Sequence, residues 1–344
     1  MSVKLGSIGK DQCAGATLFQ FLPFAGCPRR GVATVTQGVD ADSSMRDAAL
    51  VTVQNMFAGD PLDRVSAQRR DADWVAAQMD APATRFLVLR DLLAPVNGEG
   101  QLSLRWETKD NLPETGEVVL LGLDNGEARF AVAADALPDQ DGYADLRMIA
   151  SQLPAQEAAT ASYARALLAW HTNAQFCPRC GGSTVLRAAG GSRRCLQCDA
   201  SHHPRIEPVV IMLVTDGPRC LLGSRSAGPE GRYSTLAGFL EPGETIEEAV
   251  RREVQEESGI LVGDVQYHSS QPWPFPSNLM IGCMAQALTT DAVADGEELK
   301  DARWFTRDEI RPVLGQPQGA LPIFLPPPTA IAHQLIKTWL EAGD

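Results

Sequence analysis

The chain has 344 residues, with 43 Asp and Glu against 30 Lys and Arg, a formal net charge of −13. Apolar content of 44% and charged content of 21% are those of a globular protein, and the length accommodates roughly two or three domains. The acidity argues against a general binder of nucleic acid or anionic membrane. No apolar run approaches the ~20 residues of a membrane span; the longest, Val209 to Val214, has the length of a strand.

Residues 1–55 carry little pattern and read as a flexible N-terminal extension, with Met45 and Met56 as alternative starts. Lys4, Lys10 and the apolar patch Leu18 to Cys27 sketch a signal peptide, but Asp11, Gln20 and Pro23 break it, and cytoplasmic residence is expected. From residue 56 to 172 the pattern is that of an α+β domain. A helix runs through Arg70 and Trp74, and short strands are expected at 86–89, 102–106, 118–122 and 128–132. An Ala- and Leu-rich helix over 154–171 closes it. A cysteine-bearing segment, 173–205, leads into an α/β region over 206–344, where Pro326-Pro327-Pro328 precedes a final helix at 331–340.

Cys177-x2-Cys180 and Cys195-x2-Cys198 are separated by fourteen residues, the spacing of two knuckles around one tetrahedral Zn2+. Four thiolates leave no open coordination position, so such a zinc is structural. Two disulfides are the alternative, and they need an oxidising compartment. Cys13, Cys27, Cys220 and Cys283 show no such spacing. Arg179, Arg187, Arg193, Arg194 and Arg205 surround the segment; they offset the net −2 of a zinc tetrathiolate, or contact RNA phosphate.

The segment from Gly238 to Ile260 carries the chemistry. Thr245 followed by Glu248 is a capping box, and Gly259 suits the left-handed residue past a helix end, which predicts a helix over 246–258. With residues roughly 100° apart around the axis, Glu253, Glu256 and Glu257 fall on much the same stripe as Ile246, Ala249, Val250 and Val254. A solvated charge run would lie opposite that stripe. Three like charges set into it repel unless protonated or bridged by cations, and oxygen-only ligands select Mg2+ or Mn2+.

Gly238, Glu244, Arg252, Glu253, Val254, Glu256, Glu257, Gly259 and Ile260 fill every position of the Nudix hydrolase signature, and the segment resembles that family. The resemblance implies an α/β/α sandwich with a mixed sheet, preceded here by a zinc ribbon and an α+β domain. It assigns metal binding to Glu253, Glu256 and Glu257, with the carbonyl of Ala237 as a further ligand. It also assigns a bracing pair to Glu244 and Arg252. Glu298, six residues before Trp304, takes the place of another metal-binding glutamate.

Three prolines hold two aromatics in Gln271-Pro272-Trp273-Pro274-Phe275-Pro276-Ser277-Asn278, expected as a stiff, extended loop that loses little entropy when a ring stacks on it. This stretch resembles the marker of the NADH pyrophosphatases within the Nudix hydrolases. Leu236-Ala237-Gly238-Phe239, the four-cysteine segment and the stretch Leu325 to Ala332 resemble the same group. By position, Phe239, Gln271 to Asn278, Ala332 and Arg147 become substrate contacts. His203 stands before Pro204 where the family often has tyrosine, and Asn278 where it usually has serine.

The resemblance implies metal-dependent cleavage of the diphosphate of NADH or NAD+ into AMP and NMNH or NMN, in a homodimer. Removal of NAD caps from RNA by the same chemistry is the alternative, and a non-catalytic nucleotide sensor a further one.

Overall fold

A computed structural model describes residues 55–135 and 142–343. The expected N-terminal extension, Cys13 and Cys27 lie outside the described residues.

The N-terminal region is a helix–sheet–helix sandwich. Helix α1 (Ala72–Asp80) starts at Asp71, whose carboxylate accepts from the amides of Asp73 and Trp74. Strand β1 (Arg85–Arg90) runs parallel to β5 (Glu127–Ala134), which is antiparallel to β4 (Val118–Asp124). Side chains alternate across this sheet. Phe86, Val88, Leu120, Phe130 and Val132 meet Trp74, Val75 and Met79 of α1. Leu87, Leu89, Val119, Leu121 and Ala131 meet the long α3 (Ala155–Asn173) through Ala158, Ala161 and Leu168. Three short strands, β2 (Ala94–Asn97), β3 (Ser103–Leu104) and β6 (Tyr143–Ala144), and the one-turn α2 (Leu146–Ile149) flank it. The strand expected at 102–106 is thus only two residues long.

The cysteine segment folds as a small antiparallel sheet, β7 (Thr184–Arg187), β8 (Ser192–Cys195) and β9 (Ser201–His202). Arg193 ties it to the N-terminal sandwich. Its guanidinium, 3% exposed, donates at 2.7 Å to both carboxylate oxygens of Glu117, at 2.8 Å to Thr184 Oγ1 and at 3.0 Å to His171 Nδ1. His171 Nε2 in turn bonds the carbonyl of Gly190 at 2.9 Å, which requires the proton on Nε2 and leaves Nδ1 to accept from Arg193.

The C-terminal region repeats the three-layer plan on a larger sheet. Its strands are β10 (Glu207–Asp216), β11 (Arg219–Arg225), β12 (Leu236–Phe239), β13 (Val262–Trp273), β14 (Asn278–Ala287) and β15 (Leu299–Thr306), in the order β13-β14-β10-β11-β15 with β12 paired to β10. The β10–β14 pair is parallel and the others antiparallel. Val210, Met212 and Val214 of β10 pack on α4 (Ile246–Ser258), with Ala249, Val250 and Val254. Ile211 and Leu213 face α6 (Ile331–Glu341), with Ile331, Leu335 and Ile336. The one-turn α5 (Arg307–Ile310) joins the second face. This is the sandwich with a mixed sheet that the acidic-helix motif implies.

Candidate active site and zinc centre

Helix α4 spans Ile246–Ser258, with the Thr245–Glu248 capping box formed and Gly259 left-handed at φ 70°. It packs against β12, and β12 has a glycine where Glu253 of the helix meets the strand. A Cβ on Gly238 would stand 1.8 Å from Glu253 Cδ and about 2 Å from both carboxylate oxygens. Glycine at 238 is therefore what lets Glu253 reach over the strand.

The three helix carboxylates differ in burial. Glu257 is 3% exposed and neither of its oxygens has a hydrogen-bond partner among the described residues. Burial pushes its carboxyl up to about 8; the charge of Arg225 opposes this, while Glu253 and Glu298 add to it. Glu253 is shifted upward too, first by burial, with Arg252 opposing. Glu256 has a side chain 60% exposed. It sits at the margin of the stripe, and the expectation that all three share its interior needs that correction: Arg252 draws Glu256 outward along the helix. Glu298 is exposed, near enough to act on both buried carboxylates. Among the described residues these carboxylates do not converge to within 4.8 Å as the cysteines do.

Arg252 organises the cluster. It forks Glu244, Nε to Oε1 at 2.6 Å and Nη2 to Oε2 at 2.9 Å, and it donates to the carbonyl of Phe239 at 2.9 Å. Its Nη1 reaches Glu253 at 2.8 Å and Glu256 at 2.9 Å. The fork, with the Glu241 amide, holds the Glu244 carboxyl down to about 2. The loop before α4, the end of β12 and the helix are thereby one unit.

Beside Ala237, on the α6 side of β12, lies a cavity of about 350 Å3. Ile211, Met280, Ile331 and Ala332 give it an apolar interior, and Arg225 and Arg232 line it as well. Arg225 Nη2 lies 3.4 Å from the carbonyl of Ala237. Neither arginine stands out in sequence, because Arg225 ends β11 and Arg232 ends the turn that follows, and only the fold brings them to one cavity.

The expected substrate contacts separate. Ala332, Gln271 and Trp273 line this cavity. Gln271 is 1% exposed, and its amide donates to the carbonyls of Met56 and Thr329 while accepting from the Ile331 amide at 2.8 Å. Those bonds use both of its N–H donors and one of the two lone pairs on Oε1, so it also holds the segment ahead of α6 in place. The extended loop is a correction, since Gln271, Pro272 and Trp273 complete β13 and only 274–277 form a turn. Pro272, Pro274, Ser277 and Asn278 line a different cavity of about 580 Å3, shared with the N-terminal region and bounded on one side by Trp273.

Phe275 lies beneath two guanidiniums, Arg147 at 4.5 Å and Arg165 at 4.6 Å from its ring centre. With Pro276 these line a third cavity. Arg147 is thus placed against the aromatic turn and away from the carboxylates. Phe239 is 54% exposed at the end of β12, and His203 is exposed beyond β9.

In the ribbon, the ligand atoms of Cys177, Cys180, Cys195 and Cys198 all lie within 4.8 Å of one another. The thiols are free, with Cys177 and Cys198 Sγ 3.7 Å apart and Cys180 and Cys195 Sγ 3.5 Å apart, beyond an S–S bond. Amides of Gln197 and Cys198 point at Cys195 Sγ, both at 3.4 Å. The Cys198 amide foremost draws that thiol down to about 6, toward the thiolate a metal takes. The set fits tetrahedral zinc.

Three family models match the chain: an NADH pyrophosphatase-like rudimentary NUDIX domain over residues 63–170, an NADH pyrophosphatase zinc ribbon domain over 172–202, and a NUDIX domain over 205–323. The N-terminal sandwich is accordingly a reduced copy of the C-terminal one, without the acidic helix. Similar proteins include the NAD-capped RNA hydrolase NUDT12 of Homo sapiens, 39% identical over 343 residues, covering 84% of this chain and 74% of that one. The NAD-capped RNA hydrolase NudC of Mycobacterium bovis is 37% identical, covering 81% of this chain and 94% of that one. The mitochondrial NAD(P)H pyrophosphatase NUDT13 of Homo sapiens is 43% identical, covering 64% and 66%. With its acidic helix, its four-cysteine ribbon and these relatives, the chain belongs to the Nudix hydrolases, in the zinc-ribbon NADH pyrophosphatase group.

Proposed function

We propose that the chain hydrolyses the diphosphate bond of NADH and NAD+, releasing AMP with NMNH or NMN. The observation that carries this reading is the Glu257 carboxylate, buried, without a hydrogen-bond partner among the described residues, and close to two further carboxylates. Such a group fits a divalent cation with a preference for hard oxygen ligands, Mg2+ or Mn2+. Glu253, Glu256, Glu257 and Glu298, with the carbonyl of Ala237, would hold it. Held by these residues, such a cation would neutralise the diphosphate and would lower the pKa of the attacking water.

The chain's own contribution is placement. Gly238 admits Glu253 over the strand, and Arg252 locks the loop before α4 to the helix. Arg225, tied to Ala237 and close enough to bear on Glu257, is the cation positioned for the diphosphate. The apolar interior of the adjoining cavity takes one base, and the exposed ring of Phe239 offers a stacking surface. Names of relatives that act on NAD(P)H and on NAD caps support a nicotinamide dinucleotide.

One structural zinc per chain, cytoplasmic residence and a homodimer complete the proposal. Cytoplasmic residence rests on the zinc-type spacing of the cysteines, and the dimer rests on the family resemblance. Removal of NAD caps from RNA is a second reading, favoured by the names of two relatives. The ribbon arginines add little to it, since Arg193 is buried against Glu117 and Arg194 is paired with Asp199.

The test is a product assay with Mg2+ or Mn2+ and four substrates side by side: NADH, NAD+, ADP-ribose and NAD-capped RNA. Release of AMP and NMNH from NADH supports the main reading. Turnover of capped RNA alone moves the function to decapping. Binding without turnover of any substrate would leave the chain a nucleotide sensor.

A further inference from the structure

Two guanidiniums line the cavity beside Ala237, those of Arg225 and Arg232. Arg225 is engaged, through the carbonyl of Ala237 and as the cation that opposes the upward shift of Glu257. Arg232 lines the same cavity. Its guanidinium has no hydrogen bond or ion pair with any described residue, so the fold makes no use of its charge.

An exposed arginine is ordinarily a solvated one. Here the backbone that carries it is held unusually well. Residue 232 pairs in parallel with Phe324, and the Phe324 amide donates to the carbonyl of Gly231 at 2.9 Å. The Tyr233 amide donates to the Phe324 carbonyl at 3.1 Å. Gly231 adopts φ 77°, and a Cβ there would stand 2.4 Å from the Pro322 carbonyl oxygen, so only glycine makes this turn. Lys300 Nζ closes the other end, 3.4 Å from the Gly228 carbonyl. Glu230 is the one acid in the 226–232 turn, and it is exposed. A cation on a fixed backbone at the wall of a cavity is a preorganised anion contact.

We infer that Arg232 is a specificity residue that contacts a third phosphate, carried on the adenosine ribose of the dinucleotide besides its diphosphate. The assignment rests on the diphosphatase reading of this cavity. Two substrates share the chemistry. One is a dinucleotide with a 2′-phosphate; the other has its adenosine 3′-oxygen esterified to the next nucleotide of an RNA. In both, the guanidinium forks the added phosphate while Arg225 serves the diphosphate.

The experiment compares kcat/KM of the full chain and of Arg232→Ala and Arg232→Lys on NADH, NADPH and an NAD-capped dinucleotide. Arg232→Ala is expected to lose about tenfold on NADPH or on the capped dinucleotide, the scale of one charge-assisted hydrogen bond, with NADH within about twofold. Arg232→Lys recovers part of the loss. The substrate that loses identifies which phosphate is read. Equal losses on all three would place Arg232 at the diphosphate and overturn the assignment, as would no loss on any.

Calorimetry separates this from the parent reading, because it needs no turnover. The wild type should bind adenosine 2′,5′-bisphosphate or 3′,5′-bisphosphate more tightly than AMP, and Arg232→Ala should erase the difference. That result together with no hydrolysis of NADH would retain the assignment and reject the diphosphatase. Equal binding of all three by the wild type rejects the assignment itself.

Discussion

The carboxylate of Glu253 occupies the space a side chain at Gly238 would need, with Cδ 1.8 Å from the position of a Cβ. The clash is with the far end of a flexible side chain, so the fold can absorb it by swinging Glu253 aside. Gly238→Ala is therefore expected to melt within a few degrees of the wild type, while turnover falls about 100-fold or more. Thermal melting and a turnover assay on the same preparation check this. A variant that loses stability and activity together would mean that the glycine serves the fold and leaves Glu253 where it is.

Proton linkage gives a second test. In the absence of divalent metal the Glu257 carboxyl titrates at about 8 in the fold, against 4.5 for the free group. The folded state binds more protons than the unfolded state between those values, so metal-free protein loses stability as pH rises from about 4.5 toward 8. Glu257→Gln cannot titrate and should flatten that slope. Mg2+ binds the ionised form, so the rise in Tm it produces should grow over the same interval. Melting curves at several pH values, with and without Mg2+, provide the measurement; parallel slopes for wild type and variant would contradict the burial argument.

Arg252 contacts Glu244, Glu253, Glu256 and the Phe239 carbonyl at once. A lysine keeps the charge but cannot fork a carboxylate. Arg252→Lys is expected to lower kcat by about 100-fold, with a smaller change in KM, because positioning and not charge is lost. Steady-state kinetics on NADH decide; a change confined to KM would instead make Arg252 a substrate contact.

The ribbon makes a prediction about stability and metal content. Arg193 is buried between Glu117, Thr184 and His171. Arg193→Met leaves His171 Nδ1 without its donor and should cost about 1–2 kcal/mol in unfolding free energy, the scale of an unmade buried hydrogen bond, since Glu117 is 38% exposed and regains water. Cys195→Ser should reduce bound zinc from one per chain to none by elemental analysis. Denaturant unfolding and metal content are independent readouts. Full zinc in Cys195→Ser would remove the ribbon assignment.

Helix α4 was legible residue by residue, because its signals are local: the Thr245–Glu248 box, Gly259 past the end, and carboxylates set into an apolar stripe. The knuckle spacing placed the four cysteines for the same reason. Longer-range features were not legible. Pro272 suggested a loop, yet it lies near the end of β13, paired with Leu279, where proline's missing donor does little harm. Nothing local reveals that the Met56 and Thr329 carbonyls and the Ile331 amide converge on Gln271. Arg225 ends β11 and Arg232 ends the Gly- and Pro-bearing turn after it, neither in a motif, and only tertiary folding delivers them to the cavity. The N-terminal region read as α+β, and its kinship in layout with the C-terminal sandwich emerged only from the alternation of its strands between α1 and α3.

Turnover of NADH by the wild type and by Glu257→Gln, with Mg2+ or Mn2+ present and AMP quantified, tests the central claim most directly. The account predicts AMP and NMNH from the wild type and a loss of about a thousandfold in the variant, equal to several kcal/mol of transition-state stabilisation, with folding and zinc content unchanged. AMP release by Glu257→Gln within a few fold of the wild type would contradict it.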